Sequence, residues 1–153
     1  MLENVRNQIF ISYCHQDEYW FKVFYRHLKP YIKTYKLNVW SDKEIREGEK
    51  WKEAIDSALS ECSVAVLLVS PRFLASDFIF DHELPSILNT AKEGGLHIFW
   101  IAVMPSAYDI TEIADYQCAN NPEKTLIQCD KAEVDTELNK ICKKIADIAK
   151  TKE

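Results

Sequence analysis

Cys14 beside His15 is the first pair along the chain that could do chemistry, since a thiol next to an imidazole offers a nucleophile and its base. Adjacent residues at the exit of an extended run point to opposite sides, and no third group orients the imidazole, so the pair does not read as a catalytic dyad. The five cysteines (Cys14, Cys62, Cys118, Cys129, Cys142) fall 48, 56, 11 and 13 residues apart, without a C-x-x-C pair. Such spacing suits neither a zinc site nor a disulfide framework but reduced thiols in a cytosol, and no metal is expected. Phosphate cradles built from backbone are also excluded. With only Gly48, Gly94 and Gly95 in 153 residues, neither G-x-G-x-x-G nor G-x-x-x-x-G-K-[ST] can be written, which rules out Rossmann dehydrogenases and P-loop NTPases.

The elements that would position a site emerge from the hydrophobic pattern. Strand-length apolar runs recur at Gln8–Tyr13, Leu37–Ser41, Val64–Ser70 and Ile98–Met104, with a weaker fifth at Thr125–Gln128. Helical patterns lie between them, at Asp17 to about Lys33, Lys50–Glu61, Phe78–Lys92 and Glu133–Lys150, with a shorter segment around Ile110–Ala119. Strands alternating with helices predict an α/β domain with a parallel sheet and helices on both faces. The near-continuous apolar run Val64–Val69 suits a central strand buried on both sides. Asp17 reads as the cap of the first helix, and Ser76–Asp77 as a cap of the third. With no repeat, linker or low-complexity tract, residues 1–153 are expected to form one domain.

Charge and hydropathy narrow the partners. Nineteen basic and 24 acidic residues give a net charge of −5, with both signs spread along the chain and no basic footprint for nucleic acid. Met1–Gln8 carries Glu3 and Arg6 and has no signal-peptide character. The longest apolar runs fall far short of the ~18 residues that cross a membrane. The expectation is a cytoplasmic protein without membrane or nucleic-acid contact.

Ligands of parallel α/β sheets bind beyond the carboxyl ends of the strands, which directs attention to Ser12–Asp17, Ser41–Glu49, Ser70–Ser76 and Pro105–Asp109. An acidic pair for a receiver-type phosphoacceptor is missing there, as are the threaded hydroxyls of a flavodoxin-type phosphate loop. What the segments do carry is an ordered set of boxes. Phe10-Ile11-Ser12-Tyr13 precedes Asp17; Val39-Trp40-Ser41-Asp42 precedes Ile45 and Gly48; Leu67-Leu68-Val69-Ser70-Pro71 leads to Phe73-Leu74, Ser76 and Glu83-Leu84. Together, over about 100 residues to Pro105, they resemble a bacterial TIR (Toll/interleukin-1 receptor) domain.

The resemblance implies a flavodoxin-like three-layer sandwich whose five parallel strands run in the order 2-1-3-4-5. It implies self-association with other TIR protomers, as a homo-oligomer or filament, and regulation by a partner or by a module beyond Glu153. It further implies NAD⁺ glycohydrolase or cyclase activity, with NAD⁺ as substrate and no cofactor, in bacterial immune signalling. An adaptor that only recruits other TIR domains is the alternative. The carboxylate would be Glu83, seven residues after Ser76 in the pattern S-x-x-x-x-x-x-E-L. Nicotinamide is a cation that departs neutral, so no acid need protonate it, and one carboxylate can stabilise the oxocarbenium charge and hold ribose hydroxyls.

The substrate-binding set on this reading is Ser12, Tyr13, Cys14 and His15; Trp40, Asp42, Lys43 and Arg46; and Ser76, Ile79 and Phe80. Trp40, like Trp51, also reads as a packing residue. Ile79 stands where catalytic relatives carry tryptophan, and Cys14–His15 where many carry a basic residue. His15, if protonated, or Lys43, Arg46 or Arg72 could then meet the diphosphate. The resemblance also makes the segment from Asp42 through Ile45 and Arg46 to Gly48 a self-association loop that helps form a composite site. Gly48 is its natural hinge, because glycine alone takes φ > 0 without strain.

Overall fold

The computed structural model describes residues 6–45 and 48–150. Four strands form one parallel sheet: β1 (Gln8–Ser12), β2 (Asn38–Trp40), β3 (Cys62–Val69) and β4 (His97–Ala102), in the order β2-β1-β3-β4. Ile9 pairs with Val39 on one side and Val64 on the other, and Val66 pairs with Phe99. All eight residues of β3 are buried, as expected of a central strand with helices on both faces.

Period-two alternation divides the strands between two cores. Ile9, Ile11, Val64, Val66, Leu68 and Ile101 face α1 (Glu18–Tyr35) and α5 (Lys131–Ala149), meeting Phe24, Leu28, Leu138, Ile141 and Ile145. Phe10, Ala65, Leu67, Val69, Trp100 and Ala102 face α2 (Trp51–Ser60) and α4 (Leu84–Glu93), meeting Ile55, Leu59, Ile87 and Leu88. A short helix, α3 (Pro71–Ala75), opens at Ser70, whose Oγ accepts from the Phe73 amide at 3.1 Å.

The expected fifth strand is absent from the described sheet. Leu126–Gln128 is a 3₁₀ turn, closed by the Gln128 amide on the Thr125 carbonyl at 3.0 Å and by the Thr125 amide on Gln128 Oε1 at 2.8 Å. Beside β4 the chain instead forms a single parallel bridge, Trp100 to Cys118, with the Ala119 amide on the Trp100 carbonyl at 2.8 Å. The Asn120 side chain then takes both main-chain groups of Ala102, accepting from its amide at 2.8 Å and donating to its carbonyl at 3.1 Å. A fifth strand would need those groups. The helix expected around Ile110–Ala119 is likewise replaced by two 3₁₀ turns, Tyr108–Ile110 and Glu112–Asp115.

Candidate active site

The carboxyl ends of β1 and β3, the turn after β2 and the segment following α3 converge on a cleft of about 510 Å³. Its walls are Tyr13, Cys14, His15 and Gln16 from the exit of β1, Asp42 from the exit of β2, and Arg72, Ala75, Ser76, Phe78 and Ile79 from the exit of β3. Two cross-links fasten the turn Asp42–Glu44 to the segment His15–Glu18 that leads into α1. His15 Nε2 lies 2.8 Å from Asp42 Oδ1, and Lys43 Nζ donates to Glu18 Oε1 at 2.8 Å. Lys43 also lies over the Tyr13 ring, 5.8 Å from its centroid. Its ammonium is held protonated well above the usual range, chiefly by the bond to Glu18.

Glu83 is not on the cleft wall but behind it, completely shielded from solvent. It ends a π turn, Ile79–Glu83, in which the Leu84 amide reaches the Ile79 carbonyl five residues back. Sequence explains the irregularity: Pro85 has no amide to continue a regular ladder and sits in the first turn of α4, where that loss is tolerated. The wide turn directs Glu83 inward while its neighbours Asp81, His82 and Pro85 remain exposed. Ser12 Oγ donates to Glu83 Oε1, whereas Oε2 is buried without a hydrogen-bond partner. Burial, reinforced by the nearby Asp42 charge and opposed by the Ser12 bond, pushes the carboxyl up from 4.5 to about 8. Burial thus favours the neutral acid at neutral pH.

The residues picked from sequence thus separate into groups. Tyr13, Cys14, His15, Asp42, Ser76 and Ile79 share the cleft, and Ser12 binds Glu83 beneath it. Trp40 stacks on Phe10 at 4.8 Å between ring centroids, as part of the packing under α2. Phe80 projects to solvent away from the cleft lining. Ile45 packs inward against the same core as Trp40, and Gly48 adopts φ +82°. Arg46 lies outside the described residues. Trp51 packs edge-on to Phe78, centroids 5.4 Å apart, and against His82 at 4.5 Å, so the first residue of α2 touches the segment that carries Glu83.

Asp17 departs from its expected role. It occupies the residue before α1 but makes no capping bond. Its buried carboxylate instead accepts from Ser70 Oγ and, at 3.1 Å, from Arg72 Nη1. Ser76 does cap, accepting from the Ile79 amide at 3.3 Å. Gln16 and Ala75 fall in the strand-exit segments Ser12–Asp17 and Ser70–Ser76 without being named as substrate-binding from sequence, and Phe78 is not picked out there. Phe78 could have been found from its place next to Ile79, once the segment after Ser76 was read as a wall. Among the described residues no cluster of three His, Cys, Asp or Glu side chains could hold a metal ion, and no helix is long and apolar enough to cross a membrane.

Comparison with known proteins places the fold. The sequence profile of the TIR domain matches residues 9–135. Over 86 residues, 56% of the chain, the sequence is 30% identical to the uncharacterized protein y4lF of Sinorhizobium fredii, of which it covers 27%. The chain therefore spans about a quarter of that relative's length. The structure is similar to the TIR domains in the activated Roq1 resistosome directly recognizing the pathogen effector XopQ. That match has a TM-score of 0.51 at 23% identity and covers 94% of this chain and 86% of the other.

Proposed function

Because the chain belongs to the TIR domain family, we propose that it cleaves the nicotinamide–ribose bond of NAD⁺ when protomers assemble, with Glu83 as the carboxylate at the ribose. The observation that carries this reading is the state of Glu83. Buried polar atoms are almost always paired, yet Glu83 Oε2 has no partner, beside a cleft large enough for a nucleotide moiety. A ribose hydroxyl, which can accept from the protonated carboxyl and donate to the carboxylate, would supply the missing partner.

The chemistry follows from charge. The bond between ribose C1′ and the pyridinium nitrogen breaks, and its electron pair leaves with nicotinamide, which departs neutral. Positive charge develops on the ribose ring, where an ionised Glu83 stabilises it. Water then adds to C1′ and loses a proton, giving ADP-ribose; attack by a ring nitrogen of the adenine would give a cyclic product. Approach of the cationic nicotinamide favours ionisation of Glu83, because an opposite charge within a few ångströms lowers a carboxyl pKa. The value of kcat/KM, whose pH dependence reports the free enzyme, is expected to rise with pH through a limb near 8, the value to which burial raises the Glu83 carboxyl.

Nicotinamide release from NAD⁺, measured at high protein concentration and under crowding, tests the proposal. Glu83→Ala is expected to lower the rate by about 10²–10³, the usual effect of removing an electrostatic stabiliser. Equal rates in wild type and variant would end it. A second reading, a non-catalytic adaptor working through TIR–TIR contacts, is favoured by the complete burial of Glu83. Assembly without turnover would support that alternative.

A further inference from the structure

We propose that Arg72 binds the anionic diphosphate of the dinucleotide and that Asp17 and Ser70 are positioning residues that aim it. The nature of the ligand rests on the NAD⁺ reading above; the role of Arg72 rests on geometry. Among the described residues lining the cleft, Arg72 alone carries a permanent positive charge. The other basic groups near it are engaged: His15 with Asp42, and Lys43 with Glu18 and the Tyr13 ring.

Arg72 is fixed from one side only. Its Nη1 donates to Asp17 Oδ1 at 3.1 Å and to the Gln16 carbonyl at 3.2 Å. Its side chain is 53% exposed, and no hydrogen bond within the described residues occupies its Nε or Nη2 donors. Asp17 is the opposite case, with a side chain only 1% exposed and held by Ser70 Oγ as well. Burying a carboxylate to pair with an exposed guanidinium is a poor source of stability, since desolvation offsets the attraction. What the arrangement does provide is a fixed point: Nη1 is held by both bonds while Nε and Nη2 keep their N–H donors on a residue of the cleft wall, and a planar guanidinium with open donors suits phosphate oxygens.

The spacing is also suitable. Ser12, which holds Glu83, pairs with Leu67, and Ser70 lies three residues on, just past the end of β3, roughly 10 Å at the rise of a parallel strand. A ligand placing its ribose by Glu83 would extend its phosphates toward Arg72.

Binding of ADP-ribose, ADP and nicotinamide riboside to wild type, R72A and R72K, measured by calorimetry with and without polyethylene glycol as crowder, separates this inference from the catalytic one. Arg72→Ala is expected to weaken ADP and ADP-ribose about ten- to a hundredfold, the loss for a hydrogen bond to a charged group, and to leave nicotinamide riboside unchanged. Arg72→Lys should recover part of the affinity. D17N, which keeps the shape but removes the charge that holds the guanidinium, should give an intermediate loss that disappears in the R72A background. The D17N/R72A double variant also removes the uncompensated buried charge, so a folding defect in R72A alone cannot imitate the result. Equal weakening of all three ligands, unchanged affinity in R72A, or no saturable ADP-ribose binding by wild type under either condition would overturn the inference. If NAD⁺ is never hydrolysed yet ADP-ribose binding still depends on Arg72, only the catalytic reading falls.

Discussion

Glu83 is a fully buried carboxyl whose protonation is coupled to the stability of the fold. In the unfolded chain it ionises near 4.5, whereas in the fold its carboxyl is raised to about 8. Its contribution is therefore fully present below the lower value and is lost as pH rises through the upper one. Thermal midpoints of wild type should fall between pH 5 and pH 8 relative to Glu83→Gln, which cannot ionise; the variant should melt several degrees higher at pH 8, with the gap closing at pH 5. Identical pH profiles in differential scanning calorimetry would show that Glu83 is not held neutral. The family resemblance singles out Glu83 in the sequence, but its burial was not legible there. Nor were the true partners of Asp17, because Ser70 and Arg72 are 53 and 55 residues away and no local pattern connects them.

At the level of elements, sequence patterns located the strands of the sheet and the long helices but misjudged segments whose ends are settled by side chains. Thr125–Gln128 has the composition of a strand, yet Gln128 folds back on the Thr125 amide and Asn120 blocks the adjoining edge of β4. The start of α5 is the reverse case. The sequence places the helix from Glu133, but a capping box moves its beginning to Lys131: Asp130 Oδ1 accepts from the Glu133 amide at 2.8 Å, and Glu133 Oε1 from the Asp130 amide at 3.1 Å. Asp130→Ala should cost about 1 kcal/mol, measurable as a lower urea midpoint with an unchanged m-value. The π turn was beyond periodicity altogether. Pro85 marks an interruption, but the interruption by itself does not say that the preceding turn widens to the bond from the Leu84 amide to the Ile79 carbonyl.

Across the whole molecule, stability resides in the two apolar layers rather than in the surface ion pairs. Leu138 is fully buried between α5 and the sheet, and Leu138→Ala should cost about 2–5 kcal/mol. Lys52→Ala, which removes an exposed pair with Asp56 on one helix face, should change stability by less than about 0.5 kcal/mol. Urea denaturation of the two variants side by side measures this contrast.

The two edges of the sheet lead to a further consequence. On one side β2 offers only three residues, and on the other the Cys118–Asn120 segment occupies part of β4. Neither margin is a long, unpaired template on which another chain could continue the ladder. Should copies of this domain gather at high local concentration, contacts through side chains on helices and loops are expected instead of strand addition. Growth by strand addition, which seeds insoluble cross-β fibres, is disfavoured by the same short, covered edges.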